Sequence, residues 1–460
     1  MSAQPLSEFI ATDTICAPAT VPGGALAIIR VSGPDAFPIV KSLCSGNCSF
    51  ETANTIHYSH IIDPMGEVVD EVMVSIFKSP HSYTGEDCIE ISCHGSRYIL
   101  NKVLELLVRN GCRMAQPGEF TQRAYLNGKM DLSQAEAVAD LIASTNKATH
   151  DIALSQLRGR FSSELSHLRE QLLKLTSLLE LELDFSDHED LEFADRGELL
   201  ELTKTIDTHI TRLAHTFEIG QALKNGIPVA IVGKTNVGKS TLINQLLKDD
   251  RAIVSDIHGT TRDTIEDTID LQGITFRFID TAGIRQTTDE VEQIGIERTY
   301  QAIEKASIVL WIIDEEPTQE ELKDIQERCS HKSLIIIQNK IDKNDIRLNE
   351  QPLPLHSSFL RISAKYGTNL SELEQAIYEA ANIPAATDVI VTSARHFEAL
   401  TNAHHNLLRV HKGLCAQLSG DLIAEDLRLV LSDLSEITGQ GIITSQETLN
   451  NIFSHFCVGK

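Results

Sequence analysis

Three patterns of apolar and polar positions follow one another along this chain. From Asp13 to Gly118 the apolar runs are short and mixed in period. Residues 25–31 follow a Pro22-Gly23-Gly24 turn and read as a strand. Residues 68–77 and 87–92 read as further strands, and residues 101–108 as an apolar-periodic helix. Gly111, Pro117 and Gly118 then punctuate the chain. No proline occurs between Pro117 and Pro228. Residues 131–138 offer a helix start with acidic side chains in its first turns. Leu165, Leu168, Leu172, Leu175, Leu179 and Leu183 recur at three- and four-residue steps, the core-facing stripe of a long helix. The acidic tract from Glu180 to Glu192 reads as a solvated helix end and loop. The third pattern is α/β: residues 229–232 and 334–337 are continuous apolar runs typical of strands buried on both faces, residues 275–279 read as another strand, and residues 241–247 read as a helix. After Pro384 the chain is again proline-free and helix-patterned.

These patterns predict a multidomain α/β plus α protein. An N-terminal α/β domain covers residues 1–125. A discontinuous all-helical domain is built from residues 126–225 and 382–460, and an α/β domain, residues 226–381, is inserted between its halves. Such an insertion, tethered by two connections, can transmit motion.

At 460 residues the chain is long enough for about three domains. No run of eighteen apolar residues exists, so no membrane span is expected. Residues 1–8 have neither a basic nor an apolar segment of signal-peptide type. The nine cysteines lack zinc spacing; Cys44 with Cys48, and Cys88 with Cys93, are too irregular for a metal site, and free thiols in a reducing cytoplasm are the simpler reading. The formal net charge of −25 argues against nucleic acid being steered by the whole surface; any RNA contact needs a local patch or a basic partner.

The candidate chemistry centres on Gly233-Lys234-Thr235-Asn236-Val237-Gly238-Lys239-Ser240, followed by Thr241. It fits G-x-x-x-x-G-K-[ST], a loop whose glycines let backbone N–H groups wrap phosphates at a helix N-terminus. Lys239 would reach the β- and γ-phosphates and the Ser240 hydroxyl would ligate Mg²⁺. Asp280-Thr281-Ala282-Gly283 ends the strand at 275–279, with the carboxylate near the Mg²⁺ shell and the Gly283 N–H near the γ-phosphate. Asn339-Lys340-Ile341-Asp342 ends the strand at 334–337, and Ser363-Ala364-Lys365 follows a further apolar stretch. In this order the four blocks are the guanine-nucleotide set of translation-factor-type GTPases. The Asp342 carboxylate can accept from N1–H and the exocyclic amine of guanine, donors that adenine lacks there, so the site would select GTP. Lys340 can lie over the base, and the Ala364 N–H can donate to guanine O6. Arg30, Glu90 and His94-Gly95 sit at predicted strand ends, where ligands often bind, though ordinary surface charge explains them as well.

Four further features carry a family resemblance: residues 118–124 (Gly-Glu-Phe-Thr-Gln-Arg-Ala), residues 131–137 (Asp-Leu-Ser-Gln-Ala-Glu-Ala), Gly259-Thr260-Thr261-Arg262-Asp263, and the terminal Cys457-Val458-Gly459-Lys460. With a GTPase placed between helical halves, the whole chain resembles the MnmE/TrmE tRNA-modification GTPases. The resemblance implies an N-terminal folate-binding-like domain that forms a homodimer and binds 5,10-methylenetetrahydrofolate, with 5-formyltetrahydrofolate as an analogue; Arg30, Glu90, Lys129 and Lys460 match its folate-contacting positions. It implies a cytoplasmic enzyme without membrane attachment. With a MnmG/GidA-type flavoprotein carrying FAD, in a heterotetramer, the enzyme would add an aminomethyl or carboxymethylaminomethyl group at carbon 5 of the wobble uridine of tRNA. The chain departs from the family in its short turn at residues 21–25, and in Ser92, Cys93 and Ser96 where glycines are usual.

Ile284 stands where Ras-like enzymes carry the glutamine that orients the attacking water. Arg285 and the acidic run Asp289, Glu290 and Glu292 are candidates to replace it; the resemblance points to Glu292, acting through water. It also implies K⁺ in place of an arginine finger, held by Asn236, Ser255, Ile257 and Thr260 within a nucleotide-binding loop of Ser255, Asp256, Ile257, His258, Gly259 and Thr260, with Thr261 joining Ser240 on Mg²⁺. A cation there would offset charge building on the β–γ bridge. Cys457 is a candidate nucleophile at carbon 6 of the uracil ring, or carrier of the one-carbon fragment, against a frayed terminus as the plain alternative. Rival readings are a ribosome-assembly GTPase switch of the Era or EngA type and a stand-alone folate-dependent aminomethyl transferase regulated by its GTPase.

Overall fold

The computed structural model describes residues 13–45, 50–184, 196–249, 267–279, 300–343, 357–383 and 389–439, together with residues 449, 452–454, 456 and 459. It divides into two compact units. The first contains residues 1–142, 154–211 and 398–460; the second contains residues 143–153 and 212–397.

The first unit opens with β1 (Ile15–Pro18), β2 (Leu26–Ser32), α1 (Ala36–Leu43), β3 (Cys44–Ser45), β4 (Thr55–Ile62), β5 (Val68–Phe77), β6 (Cys88–His94), α2 (Arg97–Arg109) and β7 (Arg113–Met114). The strands form one seven-stranded sheet in the order β3-β4-β5-β6-β2-β1-β7, antiparallel except for the β1–β7 pair. Alternation along β5 and β6 sends Val72, Val74, Ile76, Ile89 and Ile91 into a core shared with Val40 of α1 and Val103, Leu106 and Leu107 of α2. The expected strand at 25–31 is present one residue later, at 26–32, and the helix expected at 101–108 is present with wider bounds, at 97–109. Arg30 and Glu90 do not end strands, as the patterning suggested. They stand inside β2 and β6 as direct cross-strand partners, whereas His94 does end β6.

Next come α3 (Glu119–Leu126), α4 (Leu132–Ala143), α5 (Lys147–Leu157), α6 (Arg160–Asp184) and α7 (Arg196–Asn225). Leu165, Leu168, Leu172, Leu175 and Leu179 of the predicted stripe are all buried along α6. Gly118 caps α3 in the left-handed region at φ 69°, and a Cβ there would lie 2.7 Å from the Phe453 carbonyl oxygen. The chain's last described residues therefore lie directly on this turn, where Phe453 and Phe456 pack with Tyr125, Leu132 and Val138.

The second unit holds β8 (Ile227–Val232), α8 (Lys239–Asp249), β9 (Asp267–Leu271), β10 (Ile274–Ile279), β11 (Ile308–Ile313), α9 (Gln319–Arg328), β12 (Ser333–Gln338), β13 (Ser357–Arg361) and α10 (Leu370–Ala380). Its six strands run β13-β12-β11-β8-β10-β9, parallel apart from the β9–β10 hairpin. All six residues of β11 are buried, as a strand covered on both faces requires. The parallel order puts the carboxyl ends of β8, β10, β11, β12 and β13 at one edge, where open α/β sheets bind ligands. Two more helices, α11 (Ala394–Cys415) and α12 (Gly420–Thr438), complete the elements; Arg409–Asp426 at 2.6 Å and Asn406–Asp433 at 2.8 Å tie them together. Among the described residues no helix is long and apolar enough to cross a membrane, and no cluster of three or more His, Cys, Asp or Glu suits a metal.

Candidate functional site

The phosphate loop runs from the end of β8 into α8, and its glycines are required by contact. At Gly233 (φ +148°) a Cβ would lie 2.3 Å from the Ile312 carbonyl oxygen; at Gly238 (φ +105°) it would lie 2.2 Å from Asn339 Nδ2. Asn236 is also left-handed, at φ 64°, which Asn tolerates better than most residues. Lys239 Nζ donates to the Gly233 and Lys234 carbonyls at 2.5 and 2.8 Å, so the loop encircles its own ammonium. Burial holds this lysine below its ordinary range, so an anion that restores charge stabilisation is favoured there.

Asn339 joins the phosphate loop to the segments expected to recognise the base. Its Nδ2 donates to the Val237 carbonyl at 2.7 Å and its Oδ1 accepts from the Ala364 N–H at 2.9 Å. The side chain is buried, with every polar atom directed at a partner. The structure thus brings Val237, Gly238, Asn339 and Ala364 together. It also shows the Ala364 amide, anticipated as a donor to guanine, already bonded to Asn339. Asp342 accepts from Ser363 Oγ at 2.7 Å, and that bond leads the causes holding its carboxyl below the usual range, so the acceptor is ionised at neutral pH. Lys340 takes a left-handed backbone at φ 64°, and its Nζ meets Asp314 Oδ2 at 2.7 Å. Lys365 Nζ lies 5.0 Å from the Tyr366 ring centroid. Ile341 N–H donates to the Ile362 carbonyl at 3.3 Å, fixing β12's exit against the segment that carries Ser363. Ser240 and Thr241 open α8 directly behind the loop.

A second polar site lies on the first sheet. Arg30 Nε and Nη2 both donate to Glu90 Oε1, at 3.0 and 2.7 Å, and Nη1 donates to the Gly459 carbonyl at 3.3 Å. The guanidinium stands over Tyr83 and Phe120, 5.3 and 5.6 Å from their ring centroids. Lys129 Nζ donates to the Pro80 carbonyl at 2.8 Å, on the same segment that carries Tyr83. The segment between β5 and β6 thereby gathers Arg30, Glu90 and Lys129. The neighbouring block of residues 118–124 proves largely structural. Arg123, 3% exposed, binds Asp13, Glu86 and Glu119, while Arg113 reaches Glu119 Oε1 at 2.5 Å.

Ser255, Asp256, Ile257, His258, Gly259, Thr260, Thr261, Asp280, Thr281, Ala282, Gly283, Glu292, Cys457 and Lys460 lie outside the described residues. Sequence reading missed Tyr83, Asp314 and the Gly459 carbonyl. Tyr83 and Asp314 belong to no motif, and a backbone carbonyl leaves no signal in sequence.

Residues 14–129 match the family described as GTP-binding protein TrmE N-terminus, and residues 132–457 match the MnmE helical domain. The tRNA modification GTPase MnmE of Phocaeicola vulgatus is 53% identical over 502 positions, covering 98% of this chain and 100% of that protein. The protein of the same name from Bacteroides fragilis (strain ATCC 25285) is 53% identical over 466 positions, covering 97% and 99%. That of Christiangramia forsetii is 48% identical over 475 positions, covering 97% and 99%. This chain belongs to the MnmE family. Membership agrees with the resemblance read from the four motif features and sets aside assignment to the Era or EngA families. The MnmE helical match, residues 132–457, spans both helical blocks and the nucleotide-binding elements between them.

Proposed function

We propose that this chain is a GTP-hydrolysing enzyme of tRNA modification which, with a MnmG/GidA-type flavoprotein, modifies carbon 5 of the wobble uridine from a tetrahydrofolate one-carbon donor. The observation that carries the GTPase part is Asn339, bonded at once to the Val237 carbonyl of the phosphate loop and to the Ala364 amide beside the base-recognition segment. One side chain holds the two halves of a guanine-nucleotide site in register. Family membership supports the tRNA part.

In this reading Lys239 and the loop amides grip the phosphates, and Asp342 accepts from the guanine edge. Mg²⁺ would be held by Ser240 and Thr261. K⁺ would be held by Asn236, Ser255, Ile257 and Thr260, with the Asn236 side-chain oxygen a hard donor of the kind such a cation takes. Cations held by these residues would supply charge stabilisation for phosphoryl chemistry. Glu292 positions the attacking water. The two glycines whose Cβ would strike Ile312 O and Asn339 Nδ2 form the close-approach cradle such a ligand needs.

On the first sheet, Arg30, Glu90, Lys129 and Lys460 bind the folate, with Tyr83 and Phe120 as aromatic flanks. The pairing of Arg30 with Glu90, under 30% exposed on both sides, leaves a fixed donor–acceptor edge suited to a pterin-like ring. The Gly459 carbonyl on Arg30 brings the end of the chain to this site, which supports a chemical part for Cys457. The domain division at 1–125, 126–225 with 382–460, and 226–381, the homodimer, the heterotetramer with the FAD-carrying partner and a cytoplasmic location complete the proposal.

The test uses the full chain with its flavoprotein partner. GTP hydrolysis is expected to run faster in K⁺ than in Na⁺ at equal ionic strength, and Asn236→Ala to abolish that difference while GTP still binds. Cys457→Ser is expected to hydrolyse GTP normally yet yield no modified wobble uridine. Equal rates in both salts would remove the K⁺ role, and modified nucleoside at the parental rate from Cys457→Ser would remove the thiol's.

A further inference from the structure

Lys340 is a base-recognition side chain too flexible for its own backbone to fix its conformation. It carries four flexible stem bonds on a residue in the left-handed region, at φ 64°. The fixing group is Asp314. Register pairs Ile313 with Gln338, and the Asn339 N–H donates to the Ile313 carbonyl at 2.8 Å. The carboxyl ends of β11 and β12 therefore deliver Asp314 and Lys340 side by side at the ligand-binding edge, Nζ to Oδ2 at 2.7 Å, both about one-third exposed or less. The same acidic segment reaches the phosphate loop from its other end. Glu321 binds Lys234 Nζ at 2.8 Å through Oε1 while its Oε2 accepts from Thr318 N–H, inside the capping box that starts α9.

We propose that Asp314 is a positioning residue for guanine binding: it holds the Lys340 stem extended along the sheet edge, as a preformed wall for the face of the base. This rests on the reading of the second unit as a guanine-nucleotide site. Preordering matters because immobilising a flexible side chain on binding costs about 0.5–1.5 kcal/mol, which converts to about two- to tenfold in affinity. Asp314 contacts Lys340 Nζ directly and acts at longer range on Lys234 of the phosphate loop. Its loss is expected to act mainly through Lys340, the lysine it contacts. Glu321, which ends on an exposed loop lysine, is expected to matter less.

The experiment is release of a fluorescent GDP from the full chain, measured for the parent, Asp314→Asn, Asp314→Glu, Lys340→Ala and the Asp314→Asn/Lys340→Ala pair. Asp314→Asn is expected to speed release about two- to tenfold, Asp314→Glu to stay close to the parent, and the double variant to release no faster than Lys340→Ala alone. The melting midpoint of each nucleotide-free variant checks that the fold is intact. Parental release from Asp314→Asn overturns the proposal, and so do additive effects in the double variant, since Asp314 would then act independently of Lys340. Failure of the parent to bind GDP would instead overturn the guanine-site reading, and the positioning role with it.

Discussion

Asp342 shows how one side chain's surroundings set its chemistry. The Ser363 hydroxyl donates to it at 2.7 Å and keeps the carboxylate ionised, with an acceptor surface left for the two guanine donors. Asp342→Asn swaps one acceptor for a donor, which suits xanthine, whose corresponding position carries a carbonyl. The variant is expected to lose at least about tenfold in GTP affinity, as loss of a charge-assisted bond implies, and to gain xanthosine triphosphate; titration with both nucleotides checks it, and unchanged GTP affinity sinks the base-recognition role. Residues of this kind were legible in the sequence because a motif fixes both type and spacing. Arg30 and Glu90 were legible as candidates but not as a pair, since nothing in sequence states that positions sixty apart share a register. Asp314 was not legible at all: the first of three acids after an apolar run looks like any solvated strand exit until the neighbouring strand is placed.

At the scale of elements, the turn between β8 and α8 works only with glycine where Asn339 approaches. Gly238→Ala would put a Cβ 2.2 Å from Asn339 Nδ2, on a backbone at φ +105° that an L side chain rarely adopts. Either the turn or Asn339 must move, and with it the bond from Asn339 to Val237. Loss of measurable nucleotide binding with a folded second unit is expected; calorimetry with GDP, alongside circular dichroism, decides, and near-parental affinity would show that the loop yields more easily than its contacts suggest. The parallel strands and the α6 stripe were readable because burial on two faces, or on one helical stripe, dictates composition directly. The strands β1, β4 and β7 were not, because β1 and β7 are only four and two residues long and β4 mixes polar and apolar residues without a clean alternation, so each resembles a loop until a neighbour pairs with it.

At the scale of the molecule, an ionic web joining half-exposed Asp13 and Arg113 to buried Glu119 and Arg123 is expected to set the acid limit of the first unit. Burial alone would raise the Glu119 carboxyl, but the Arg113 hydrogen bond, the Gln116 N–H and the charges of Arg113 and Arg123 outweigh it and leave it lowered; Asp13 is lowered chiefly by its bond to Arg113. Carboxylates depressed in the folded state stabilise it fully above their unfolded values, near 4, and that stability drains as pH falls through the folded values. The melting midpoint is expected to hold from pH 7 to about 5 and then fall, with a shallower fall in Glu119→Gln; an identical acid slope in that variant would place the acid limit elsewhere. The bond from Arg30 to the Gly459 carbonyl has a consequence of another kind. It joins positions 429 residues apart, and a Cβ on Gly459 would lie 2.1 Å from the Pro18 carbonyl oxygen, so the two ends of this span fit in one arrangement. A polypeptide is made from its amino end, and its early domains fold while the rest is still being synthesised. The sheet bearing Arg30 can therefore form long before residue 459 emerges, and the Arg30 guanidinium gains its carbonyl partner only once translation has passed that point. A chain terminated before residue 459 would carry a folded first sheet without this contact, so folding of the sheet and completion of the surroundings of Arg30 are separate events in time.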